Sequence, residues 1–189
     1  MNRQHVLTLT VLFQVASMAM AQEMPQAPKP TKEHRWLQKF VGTWEVSSAG
    51  VAAEGQPAIQ STGKIESTRL GEFWVQNRME AEFGPGMAFS GIQTVGYDAK
   101  KKKYIGTWID STNGFMWKYE GFVKGEKLVL EATGPDMTNP EKTRLYRDSY
   151  EFTGENSMKV ESSMQAEDGS WTVFMTGKGK RTKTPAKTK

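Results

Sequence analysis

The stretch His34-Arg35-Trp36-Leu37-Gln38-Lys39-Phe40-Val41-Gly42-Thr43-Trp44 decides the fold. His34, Trp36, Leu37 and Phe40 recur at the spacing of one or two amphipathic helical turns. Directly behind them, Gly42-Thr43-Trp44 opens a long series of short strand-like segments. No stretch after Phe40 keeps a helical period of useful length, so the remainder reads as all-β. This order predicts a single antiparallel meander β-barrel of about ten strands, with a short N-terminal helical segment capping one end. A meander of that size closes on itself, leaves no free edge and encloses room for one small ligand.

The strands come at hairpin spacing. The first is predicted at Trp44–Ser48, followed by a Gly- and Ala-rich loop from Gly50 to Gln56. The next are Ile59–Leu70, Phe73–Phe83, Met87–Tyr97, Lys103–Ser111 and Phe115–Lys124. Lys127–Thr133, Thr143–Thr153, Ser157–Glu167 and Trp171–Gly177 complete the series. Gly71, Asn113-Gly114, Gly125 and Asp168-Gly169 sit between them, where turns need residues that accept positive φ.

Alternation assigns the faces, because successive strand residues point to opposite sides. Phe73, Val75, Asn77, Met79, Ala81 and Phe83 share one face, against Gln76, Arg78, Glu80 and Glu82. Tyr146, Asp148, Tyr150 and Phe152 oppose Arg147, Ser149 and Glu151, while Met158, Val160, Ser162 and Met164 oppose Lys159, Glu161, Ser163 and Gln165. The candidate cavity lining is therefore Phe73, Asn77, Met79, Phe89, Trp108, Asp110, Trp117, Tyr146, Asp148 and Met164. A buried carboxylate is costly unless partnered, so an inward Asp110 or Asp148 is expected to meet Arg144, a tyrosine or a ligand.

Outside the barrel, the first 21 residues read as a signal peptide. Arg3 and His5 precede an apolar run from Val6 to Val15, and Ala19-Met20-Ala21 supplies a small-residue cleavage site. Cleavage after Ala21 would leave 168 of the 189 residues and an exported, periplasmic or secreted protein. Residues 22–32 read as a flexible linker, with three of the eight prolines between Gln22 and Pro30. The barrel is placed at residues 33–177, one domain with a core of its own.

The formal charge of +4 is a property of the ends. Six Lys or Arg residues lie between Lys178 and Lys189, and with Arg3 they account for seven positive charges; without them the balance is −3. Residues 178–189, lacking apolar periodicity, are expected to be a disordered basic tail able to touch anionic envelope surfaces. With export expected, nucleic acid is not a partner.

Chemistry is bounded by what the chain lacks. It has no cysteine and two histidines, His5 and His34. Thiol catalysis, iron–sulfur clusters and thiolate zinc sites are excluded, and a transition-metal site would need mostly carboxylates. Asp98, Asp136 and Asp168 read as turn formers without calcium-loop spacing. A Ser-His-Asp set would need His34, which reads as a packing or surface residue. No metal, cofactor or catalytic set is expected.

The segments His34-Arg35-Trp36-Leu37, Val41-Gly42-Thr43-Trp44-Glu45, Gly96-Tyr97-Asp98, Lys102 to Ser111 and Tyr146-Arg147-Asp148 are similar to the bacterial family called domain of unknown function 1579. The resemblance runs from about Glu33 to Thr176, and Gly106-Thr107-Trp108-Ile109-Asp110-Ser111 is its most specific part. It implies a lipocalin-like exported barrel and carries no catalytic residues. In lipocalin-like barrels the Gly-x-Trp tryptophan packs across the barrel base against a cation from the last strand; here that implies Trp44 with Arg181 or Lys178. A more distant likeness runs to nitrobindin-like barrels, which bind haem through a late histidine. This chain has none there, so haem held in that way is excluded.

Three functions follow from this reading. The leading one is a binding protein that holds a small apolar or aromatic molecule in the barrel. The alternatives are an isomerase or hydrolase using inward Asp110 or Asp148 with a tyrosine, and a structural or interaction module of the envelope. The oligomeric state is left open.

Overall fold

Strand after strand is too short and too evenly punctuated by turns to do anything but pair with its neighbour. The computed structural model describes residues 28–51, 58–84, 86–137, 139 and 141–183. Helix α1 (Lys32–Leu37) runs into a single 3₁₀ turn (Gln38–Phe40) and then into β1 (Gly42–Gly50). There follow β2 (Gln60–Leu70), β3 (Trp74–Phe83), β4 (Ala88–Asp98), β5 (Lys103–Asp110) and β6 (Trp117–Lys124). The meander ends with β7 (Lys127–Pro135), β8 (Thr143–Gly154), β9 (Ser157–Gln165) and β10 (Trp171–Lys183). Each strand pairs antiparallel with the next, and β1 closes on β10, giving a ten-stranded barrel without an edge.

The signal peptide and residues 22–27 of the linker lie outside the described residues. Two other expectations need correction. Lys32, taken as linker, already belongs to α1. Residues 178–183, taken as part of a disordered tail, are the last turn-free half of β10, paired with β1 from Thr43↔Lys183 to Ser47↔Lys178. Their alternation is Gly/Lys rather than apolar/polar, so composition hides it. Gly179 faces inward, where an added Cβ would stand 2.7 Å from Met158 Cε, and the lysines face out. Backbone pairing to β1 supplies the order that apolar periodicity does not.

The helical segment plugs one end. Trp44 is fully buried, donates its indole N–H to the Phe40 carbonyl at 2.7 Å, and lies under Arg181, whose guanidinium carbon is 4.2 Å from the ring centre. Arg181, not Lys178, is thus the cation on Trp44. Its guanidinium also donates to the carbonyls of Val41 and Lys39, tying β10 to the entrance of β1. Gly42 makes this junction possible: its φ is +132°, and a Cβ there would stand 2.6 Å from the Lys183 carbonyl.

Above the plug the core is aromatic. Phe40 meets Phe152 at 4.9 Å between centroids and Tyr150 at 5.5 Å, and Trp36 meets Phe152 at 5.7 Å. Leu37, Leu128 and Leu130 are fully buried among them. His34 is a packing residue, as its position suggested. Its Nδ1 accepts from the Thr31 amide at 3.0 Å, and its ring stands edge-on to Phe73 and Tyr97.

Candidate functional site

In a meander the connections β1–β2, β3–β4, β5–β6, β7–β8 and β9–β10 share the end opposite the plug. The packed core does not extend to it. A cavity of about 440 Å³ occupies that half of the barrel. Phe40 forms part of its floor, and it reaches the surface beside Ile59 and Met137, which are 59% and 63% exposed.

The walls are built by register. Ser67, Asn77, Gln93 and Trp108 are directly opposite one another on β2, β3, β4 and β5 and so face the cavity at one level. The Trp108 ring lies across Gly91, where a Cβ would approach it to 2.5 Å; only glycine leaves space for that wall. Phe89 stacks on Trp108 at 6.0 Å and meets Phe83 edge-on at 5.0 Å. Met79, Val46, Met158 and Met175 complete the apolar surface.

Two polar chains cross it. Asn77 Nδ2 donates to Gln93 Oε1 at 2.9 Å, and Gln93 Nε2 donates to Tyr150 Oη at 2.9 Å, joining β3 and β4 to β8 across the interior. Separately, Tyr119 donates to Asp148 Oδ2 and Ser162 to Asp148 Oδ1, both at 2.5 Å. Burial pushes the Asp148 carboxyl above its ordinary range, against those two hydrogen bonds. Burial also raises Tyr119 well above the usual phenol range, and raises Tyr150, each reinforced by the charge of Asp148. Asn77 Oδ1 and Ser67 Oγ are buried without a hydrogen-bond partner among the described residues.

Residues 29–181 match the family model described as Protein of unknown function (DUF1579). The chain belongs to this family. No curated protein matches the DUF1579 chain in sequence. Among solved structures it is similar to Rv2717c from M. tuberculosis, at 13% identity and a TM-score of 0.58, over 82% of this chain and 99% of that one. It is also similar to the S-type phycobiliprotein lyase CPES from Guillardia theta, at 11% identity and a TM-score of 0.54, over 84% of this chain and 100% of that one. Both likenesses are of fold.

Of the ten candidate lining residues of this DUF1579 barrel, Asn77, Met79, Phe89, Trp108 and Asp148 border the cavity. The other five do not. Phe73 lies in the turn before β3, at the plugged end, with its ring 5.0 Å from His34. Asp110 sits at the rim, where it accepts from Trp108 Nε1 at 2.8 Å, from the Thr112 amide and hydroxyl, and from Asn113. Partial burial opposes its ionisation, but these donors outweigh it and hold the carboxyl below its ordinary value. Trp117 and Tyr146 pack on each other at 5.0 Å, and Tyr146 donates to the Pro135 carbonyl at 2.8 Å. Met164 pairs with Tyr146 across β8 and β9, so these three thicken the wall instead of bordering the space. Arg144 serves Asp136 and meets neither Asp110 nor Asp148.

Gln93, Tyr119, Ser67 and Ser162 were not singled out as site residues. Tyr119 and Gln93 occupy inward positions, so alternation supplies a weak signal for them. Nothing local marks them as partners of Asp148 and Tyr150, which lie 29 and 57 residues away.

Proposed function

We propose that this barrel is an exported binding protein that carries one small, largely apolar or aromatic molecule in its cavity. The observation that supports the reading is the contrast inside a single closed barrel. One half is filled by Trp44, Phe40 and Phe152, whereas the other keeps about 440 Å³ lined by Phe89, Trp108 and Met79 with a few directed polar groups. That composition, apolar walls with sparse orienting groups, is the usual make-up of a small-molecule site. Export rests on the leader-like composition of residues 1–21. Titration with Nile red, a neutral apolar fluorophore, tests the carrier reading. One dye is expected to bind per chain with blue-shifted emission, and Ser67→Phe, which projects a ring into the cavity, is expected to abolish it while leaving the β circular-dichroism spectrum intact. Absence of binding by the natural chain, or undiminished binding by the folded variant, would overturn the proposal.

A further inference from the structure

Asp148 is the one carboxylate that borders the cavity among the described residues, and its partners there are unusual for a buried acid. Both are hydroxyls, Tyr119 and Ser162, each 2.5 Å from a different carboxylate oxygen. No lysine, arginine or histidine among the described residues forms an ion pair with it. Arg144 is held by Asp136 and Arg147 by Glu131, and Lys178, which stands in the cavity lining, is solvent-exposed and makes no ion pair with Asp148. Two hydroxyl donors orient a carboxylate without neutralising it, and a buried charge is stable when an opposite charge or a hydrogen-bond donor completes it. The rest of the polar lining leans the same way. Asn77 donates an amide N–H to Gln93 and leaves Oδ1 as a buried acceptor with no donor among the described residues; the neighbouring Ser67 hydroxyl, able to donate or accept, is likewise unpartnered among them. Asp148 thus has no cationic partner among the described residues, and Phe89 and Trp108 belong to the same lining.

We infer that the ligand is an organic amine: an apolar or aromatic body carrying a protonated nitrogen that faces Asp148. Ammonium N–H groups supply the donors that Asp148 and Asn77 Oδ1 accept, and the aromatic side chains of the lining take the apolar body. This rests on the carrier reading and narrows it to one charge type. It disfavours fatty acids and other carboxylates, whose anion would face the Asp148 carboxylate and the Asn77 Oδ1 acceptor.

The test uses three naphthalene probes of matched shape and different charge: 2-(aminomethyl)naphthalene as the cation, 2-naphthalenemethanol as the neutral isostere, and 2-naphthoate as the anion. Calorimetric titration at pH 7 is expected to rank the amine first by about tenfold or more over the alcohol, as a hydrogen bond to a charged group contributes, with the naphthoate weakest. In Asp148→Asn, which keeps the shape, removes the charge and turns one acceptor oxygen into an N–H donor, the amine's advantage over the alcohol is expected to vanish. Equal binding of amine and alcohol by the natural chain, or preference for the naphthoate, overturns the amine assignment and leaves the carrier reading standing. Failure of all three probes together with Nile red overturns the carrier reading itself. Because the ranking is read on the natural chain, it holds even if the variant does not fold.

Discussion

The two ends of the barrel are made from the same strands yet are built oppositely. At the plugged end, aromatic rings interlock around Trp44, and Arg181 ties β10 to the carbonyls of Val41 and Lys39. At the other end the chain leaves apolar side chains in solvent, Val51, Ile59, Met87, Met116 and Met137 among them, around a cavity whose buried polar groups are not all satisfied. Close packing maximises stability, and its absence at one end marks the place where packing has been given up for something else. The plug holds the barrel shut, and the open half is where the proposed ligand would sit.

Breaking the plug is expected to give the largest effect. Trp44→Ala should cost about 3–5 kcal/mol, the range for truncating a buried aromatic, read as a fall in the denaturation midpoint; a loss below about 1 kcal/mol would mean that the plug is not the keystone. Arg181→Met comes next. It keeps the apolar stem over Trp44 but strips the donors from three carbonyls, those of Val41, Lys39 and Glu155, and an unsatisfied buried acceptor costs about 1–3 kcal/mol. Its Nile red affinity is expected to stay unchanged, since the cavity lies at the other end.

How far all this was legible in the sequence follows the same division. The plug was: the helical turn, Gly42-Thr43-Trp44 and a late cation are local signals, and the structure joins Trp44 to Arg181. The ten strands were legible too, because Asn-Gly, Asp-Gly and Gly turns interrupt the alternation at regular intervals. β10 is not legible beyond Gly177, because its inward residues there are Gly179, under Trp44 and Met158, and Arg181 instead of apolar side chains. The cavity was only half legible. Alternation tells inward from outward, but not the height of a residue along the barrel. Phe73 therefore fell to the plug and Asp110 to the rim, and Trp117, Tyr146 and Met164 became wall. Register between distant strands, such as Asn77 with Gln93 and Gln93 with Tyr150, decides which inward residues meet.

Two smaller effects sharpen the open half. Asp148 carries a folded-state carboxyl raised above its unfolded value by burial. The stability it contributes is therefore complete below about pH 4, the unfolded value, and is lost as pH rises through the raised folded value. In the ligand-free protein, Asp148→Asn removes that loss, so the melting temperature of the variant should gain on the natural chain as pH rises from 4 to 8. A constant difference across that range would contradict the burial of an uncompensated acid. Phe89→Ala, at the cavity wall, should change stability least, by under about 1 kcal/mol, because an already open space has little packing to lose. It should nonetheless weaken Nile red binding; the reverse pattern, large destabilisation with intact binding, would make Phe89 part of the core.

The most direct test of the carrier reading is native mass spectrometry of the protein isolated from its own cells, recorded before and after denaturation. The account predicts a discrete added mass, held one per chain and released on unfolding. A ligand-free mass at the value of the chain alone, from material never exposed to denaturant, would contradict it.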